Sequence, residues 1–189
     1  VKNNLQIVSS LLSLQASRAD NEYVTQVFRD SQDRLQTMSS IHESLYLNES
    51  MSELNVRDYL DQLVRDRVRI SADILNTVVV DVKFPDITFN IETMLPLGLL
   101  LNELVTNSLK HAFPDNQEGK ITVRLDILPD KSAVLYYSDN GVGFPIENAG
   151  DTSKSIGLIL IDSFAMQLDG NMKRLDKPGT HYELKFKPI

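Results

Sequence analysis

The run Asp139-Asn140-Gly141-Val142-Gly143-Phe144-Pro145 constrains this chain more than any other. Ala133 to Tyr137, just before it, alternates little and reads as a buried strand. Asp139 then stands at a strand end, facing a loop whose two glycines have no Cβ to obstruct a sharp turn or a close approach to a ligand. Taken alone, the run fits a ligand site and a plain tight loop equally well.

Upstream, Leu99 to Phe113 has helical periodicity and an unusual polar face. At about 100° per residue, Met94, Gly98, Leu101, Val105 and Leu109 share a core side. Glu103, Asn107, Lys110 and His111 share the opposite stripe. A solvated face is one reading of that stripe. Asn and His are weak helix formers, however, and Glu with Asn one turn away supplies oxygen ligands suited to magnesium. Further on, Lys154-Ser155-Ile156-Gly157-Leu158 places a glycine at the opening of a second apolar helix, whose free N–H groups make an anion site. Gly179-Thr180 precedes an alternating strand, His181 to Phe186. The chain has no G-x-x-x-x-G-K-S/T run, which rejects a P-loop.

The 189 residues divide near residue 52. Residues 2–18 carry Leu5, Val8 and Leu12 at helical spacing, and a second helix carries Val24, Val27, Phe28, Leu35, Met38, Ile41 and Leu45. Such a hairpin has too little core by itself. Two copies across a two-fold axis would bury both stripes in a four-helix bundle; packing on its own chain is the alternative. From Val56 onward, helical and β-branched segments alternate, as expected of helices layered on one sheet. Residues 144–155 are polar and are expected to form a mobile flap over the site. The net charge of −7 argues against nucleic-acid binding. The absence of cysteine excludes disulfides and thiol chemistry. No apolar run approaches the ~20 residues that span a bilayer, which leaves upstream sensor or membrane segments open.

An Asn-bearing helix, a D-x-G-x-G run, a glycine-led helix and Gly-Thr before a strand resemble, in that order, the four boxes of the GHKL ATPase superfamily. That group holds sensor histidine kinases, Hsp90-type chaperones, type II topoisomerase subunits and mismatch-repair ATPases. The chain looks most like a sensor histidine kinase, essentially end to end. Val1-Lys2-Asn3-Asn4-Leu5-Gln6 resembles the run just after the phospho-acceptor histidine in one subgroup. The acceptor is therefore expected two positions before Val1, outside this chain. His42-Glu43 looks like the acceptor motif of the commoner class, but that motif belongs on the first helix, so His42 is expected to be structural or exposed.

The resemblance implies an α+β chain. Residues 1–52 would be a dimerisation and phosphotransfer hairpin, and 53–189 a two-layer α/β sandwich binding ATP and Mg²⁺. Adenine offers its exocyclic amine as a donor, which Asp139 would accept. Gly141 and Gly143 would pass close to the base, and Thr180 would complete the contact directly or through water. Asn107 would hold Mg²⁺. Glu103 and Asn107 would be the catalytic residues, Glu103 orienting or deprotonating the attacking group or, since the nucleophile is an imidazole, supporting ion and water positions. Lys110 or Lys154 would offset phosphate charge, and Gly157 with Leu158 would present helix N–H groups. Ligand-proximal and helix-end roles are both open for His111. The one glycine of Ser155-Ile156-Gly157-Leu158 departs from a box often richer in glycine. Implied partners are a second copy through residues 1–50 and a response-regulator receiver domain, with a cytoplasmic location. Another GHKL ATPase, such as an anti-sigma serine kinase, and a non-catalytic regulator-binding module are the alternatives.

Overall fold

The computed structural model describes residues 2–47, 53–71, 78–114, 117–143 and 156–189. They fall into two compact units, Val1–Leu54 and Asn55–Ile189. The first is a helical hairpin of α1 (Lys2–Arg18) and α2 (Glu22–Leu47). Asn21 in the turn accepts the Tyr23 N–H at 2.8 Å, which caps the start of α2. Gln32 ties the helices together, donating to the Ser9 carbonyl at 3.1 Å and to the Ser13 hydroxyl. The hairpin leaves apolar side chains in solvent: Ile7 is 61% exposed, Leu11 55% and Tyr23 69%. His42 is half-buried on α2.

The second unit layers three helices on one face of a five-stranded sheet. Its elements are α3 (Val56–Ser71), β2 (Val78–Lys83), β3 (Thr88–Asn90), α4 (Ile91–His111), β4 (Gly119–Ile127), β5 (Ala133–Asp139), α5 (Ile156–Gln167), β6 (Asn171–Arg174) and β7 (Thr180–Phe186); the chain boundary between the units falls within the short β1 (Glu53–Asn55). The strand order is β2-β4-β5-β7-β6. β2 and β4 run parallel and every other pair is antiparallel. Strand alternation puts Ile121, Val123 and Leu125 on the same face as Leu135, Tyr137, Leu184 and Phe186, all buried beneath the helices.

α4 is the central helix. Asn90 caps it by accepting the Thr93 N–H at 3.0 Å, and Lys110 and His111 in its last turn suit the negative end of the helix dipole. α3 flanks it on one side, where the Arg67 guanidinium donates to the Thr106 hydroxyl at 3.0 Å. α5 flanks it on the other. Both flanks of α4 are therefore covered. Its sheet-facing residues Leu97, Leu101 and Leu104 are at most 2% exposed, and Ser108, one turn further, is 1% exposed.

Candidate functional site

Asp139 is the last residue of β5. Its strand partners are Ile121 on one side and Thr180 on the other, and its side chain is buried among them at 2% exposure. A carboxylate so desolvated needs partners. Oδ1 accepts the backbone N–H of Gly141 at 3.0 Å and that of Thr180 at 3.2 Å. Oδ2 accepts the Ser108 hydroxyl at 2.5 Å. Tyr137 lies on the same strand face, and its hydroxyl is 2.8 Å from Ser108 Oγ and 3.1 Å from the Leu104 carbonyl. Burial pushes the Tyr137 phenol far above its ordinary range, against the lowering effect of Ser108. Beside this cluster, the Thr180 hydroxyl is the buried side-chain polar atom among the described residues that has no hydrogen-bond partner. Such orphans are rare and mark a place for water or a ligand.

The glycines hold the cluster together. A Cβ on Gly141 would collide with the carbonyl oxygen of Ala112, the residue just past α4, and the Val142 N–H donates to that same oxygen at 2.9 Å. Gly141 thus docks the loop after β5 onto the end of α4, closer to protein backbone than the sequence alone suggests. Gly143 and Gly179 both have left-handed backbones, with φ of 72° and 80°. A Cβ on Gly179 would strike the Asp139 carbonyl oxygen.

On α4 itself, between one and two turns before Ser108, Glu103 is 4% exposed. It is no solvated face: the first turn of α5 lies against it. A Cβ on Gly157 would stand 3.2 Å from Asn107 Oδ1 and 3.5 Å from Glu103 Oε2. The structure therefore brings Glu103, Asn107 and Gly157 together, and Asp139, Gly141 and Thr180 together, with α4 spanning the two groups. Leu158 follows Gly157, half-buried. Lys110 and His111 are exposed on the last turn of α4. Lys154 and the flap expected over 144–155 lie outside the described residues. Sequence reasoning missed Ser108 and Tyr137. Tyr137 shares the face of Asp139 by strand alternation, and Ser108 is a lone hydroxyl on an apolar helix face, so both left a signal.

Among the described residues, no group of three or more His, Asp or Glu side chains is placed to hold a metal ion. A divalent cation beside Asn107 would take its remaining oxygen ligands from water and from a bound phosphate, a mode that suits Mg²⁺. An open cleft of about 690 Å³ lies at the far end of the sheet, by Phe84, Phe89 and Leu125. Its Arg57, Lys83 and Lys131 are exposed, and its one carboxylate, Asp126, is only half-buried, unlike Asp139.

Two family profiles match the chain, one described as histidine kinase over residues 1–71 and one as histidine kinase-, DNA gyrase B-, and HSP90-like ATPase over residues 93–188. The sensor histidine kinase PdtaS of Mycolicibacterium smegmatis is 30% identical over 192 residues, covering 95% of this chain and 36% of that protein. The chain thus spans about a third of the length of that relative. The serine-protein kinase RsbW of Listeria innocua is 42% identical over 59 residues, 31% of this chain and 37% of its own. In structure, the histidine kinase domain of a blue-light-activated histidine kinase from Erythrobacter litoralis superposes with a TM-score of 0.69 at 19% identity, covering 96% of this chain and 95% of that one. With an Asn-bearing helix, a strand-end aspartate and a glycine-led helix closed around one another on this sheet, and both profiles matched in order, the chain belongs to the histidine kinase-, DNA gyrase B-, and HSP90-like ATPases and is a histidine kinase catalytic core.

Proposed function

We propose that the second unit binds Mg-ATP and that the whole protein transfers its γ-phosphoryl group to a histidine upstream of Val1, and from there to an aspartate on a response regulator. The observation that carries this reading is the buried Asp139 carboxylate beside the unpartnered Thr180 hydroxyl. Three donors already hold Asp139, and its remaining lone-pair capacity suits the exocyclic amine of adenine. Thr180 Oγ1 would gain a partner from the base or from a bridging water.

The phosphates would then extend along α4 toward α5. Mg²⁺ held through Asn107 would neutralise phosphate charge and fix the geometry of transfer. Glu103, buried beside Asn107, would orient waters around that ion, and the first turn of α5 at Gly157 and Leu158 would offer N–H groups to phosphate oxygens. Lys110, His111 and Lys154 are the side chains proposed to offset the remaining charge. In the transfer itself, an imidazole nitrogen forms a bond to the γ-phosphorus as the bond to the β–γ bridging oxygen breaks, and ADP leaves. Positioning and electrostatics supply most of such a rate.

Residues 1–52 are proposed as the dimerisation and phosphotransfer hairpin and 53–189 as the ATP-binding domain. The exposed Ile7, Leu11 and Leu14 on α1 support pairing with a second copy in a four-helix bundle. Among the described residues no helix is long and apolar enough to cross a membrane; a cytoplasmic site of action is part of the proposal. The stretch similar to RsbW favours a serine kinase as the second reading.

Restoring the residues that precede Val1 and incubating that protein with γ-labelled ATP and Mg²⁺ separates these readings. An acid-labile, alkali-stable label that disappears when the upstream histidine is replaced is the expected result. An acid-stable label would favour the serine kinase, and ATP binding without any label would favour a regulator-binding module. In the same assay, Asn107→Ala is expected to lower Mg²⁺-dependent transfer by about 100-fold, with metal-free ADP binding nearly unchanged. Equal losses with and without Mg²⁺ would remove Asn107 from the metal.

A further inference from the structure

We propose that Tyr137 and Ser108 form a one-way donor relay that positions the Asp139 carboxylate and sets the preference of the site for a 6-amino over a 6-oxo purine. The inference rests on the adenine-nucleotide reading above and assigns roles to two residues that reading does not use.

The relay follows from proton counting. Ser108 has one hydroxyl proton, and its 2.5 Å bond to Asp139 Oδ2 uses it. The 2.8 Å contact between Tyr137 and Ser108 must then carry the tyrosine proton toward Ser108 Oγ, with the Leu104 carbonyl at 3.1 Å as a second, weaker acceptor. Burial keeps that phenol protonated across the working range. Each link therefore points the same way, Tyr137 to Ser108 to Asp139. Oδ1 is held from the opposite side by two backbone N–H groups. In this arrangement every partner of the carboxylate donates to it. The face left for a base is thus a pure acceptor, fixed in orientation by bonds on both oxygens.

A 6-amino purine presents a donor to that face, whereas a 6-oxo purine presents an oxygen against oxygen. Removing the relay frees Oδ2 to turn away, which costs the amino purine its aligned acceptor. The oxo purine never used that acceptor and has little to lose. Discrimination should fall even where the fold survives. A merely structural role for Ser108 would weaken both nucleotides alike.

The test is titration of ADP and IDP, which differ at the 6-position and its adjoining ring nitrogen, into the wild-type protein, Ser108→Ala, Ser108→Thr and Tyr137→Phe, with thermal melts of each. The expected result is that Ser108→Ala lowers the ADP-to-IDP affinity ratio about tenfold, mainly through ADP. Tyr137→Phe, which deletes one oxygen from a buried ring, should lower it less and in the same direction. Ser108→Thr keeps the hydroxyl and should restore the ratio; Tyr137→Phe carries the test if the added methyl group prevents folding. Unchanged ratios in Ser108→Ala and Tyr137→Phe, or equal losses for the two nucleotides, would overturn the relay while leaving ATP binding intact. Wild-type protein that binds ADP and IDP equally would overturn the adenine reading itself.

Discussion

Asp139→Asn is expected to lower ADP affinity by about 100-fold or more while the domain still folds. The asparagine carbonyl can keep the Gly141 and Thr180 N–H bonds that Oδ1 now accepts. Its NH₂ group would replace Oδ2, the oxygen that now accepts from Ser108, and would turn a donor toward the amine of the base. Donor would then face donor in a desolvated setting, where the mismatch costs about 1–3 kcal/mol for each group left unpaired. Asp139→Ala is the harsher variant, because it strands three donors at once and should also lower the melting temperature. Calorimetric titration of the asparagine variant is the cleaner measurement. Affinity within twofold of wild type would remove Asp139 from base recognition.

Gly179→Ala should damage stability and site together. Its φ of 80° lies in the left-handed region, which costs a residue with a Cβ about 1–2 kcal/mol. The new methyl group would also strike the Asp139 carbonyl oxygen, and backbone cannot move aside as a flexible side chain does. A loss of about 2 kcal/mol or more is expected, seen as a melting temperature lowered by several degrees. Because Thr180 follows directly, its N–H bond to Asp139 should lengthen and ADP binding should weaken in step. A melt that matches wild type would show that the turn tolerates a side chain.

Much of this architecture follows from local pattern. The β-branched and alternating runs became strands, the helical pattern from Val56 onward begins with Val56–Ser71, and the glycine-led apolar helix runs Ile156–Gln167. The burial of α4 on further faces did not follow as well. Helical periodicity placed Met94, Gly98, Leu101, Val105 and Leu109 on the core side, and all but the half-buried Leu109 are buried, but Leu97, Leu104 and Ser108, outside that set, are buried too. A helix covered on several sides has no broad polar face to fix its angle. Glu103 illustrates the same point. Its burial comes from α5, an element more than fifty residues later in the chain, and no local signal separates it from a solvated glutamate. Lys110 and His111, on the same stripe, are exposed because α4 ends there. The hydroxyls of Ser108 and Tyr137 found partners 29 to 31 residues away, pairings that only the docking of α4 on β5 creates. Gly141 was visible as a turn residue, but its close neighbour, the Ala112 carbonyl, was not.

The register of the sheet carries one more consequence. Ile121, Asp139 and Thr180 lie side by side across three strands, and the Asn140 side chain locks the neighbouring position by accepting the Lys120 N–H at 2.6 Å. Side chains alternate with a period of two, so a one-residue slip of β5 would carry Asp139 from the helix-covered face to the open one. A slipped chain could form nearly as many ladder bonds yet would have no acceptor for a base. Nucleotide would then bind the correctly paired chain alone, and by mass action it would draw misregistered molecules toward that pairing during refolding. For this sheet, the ligand would act as a proofreader of strand alignment.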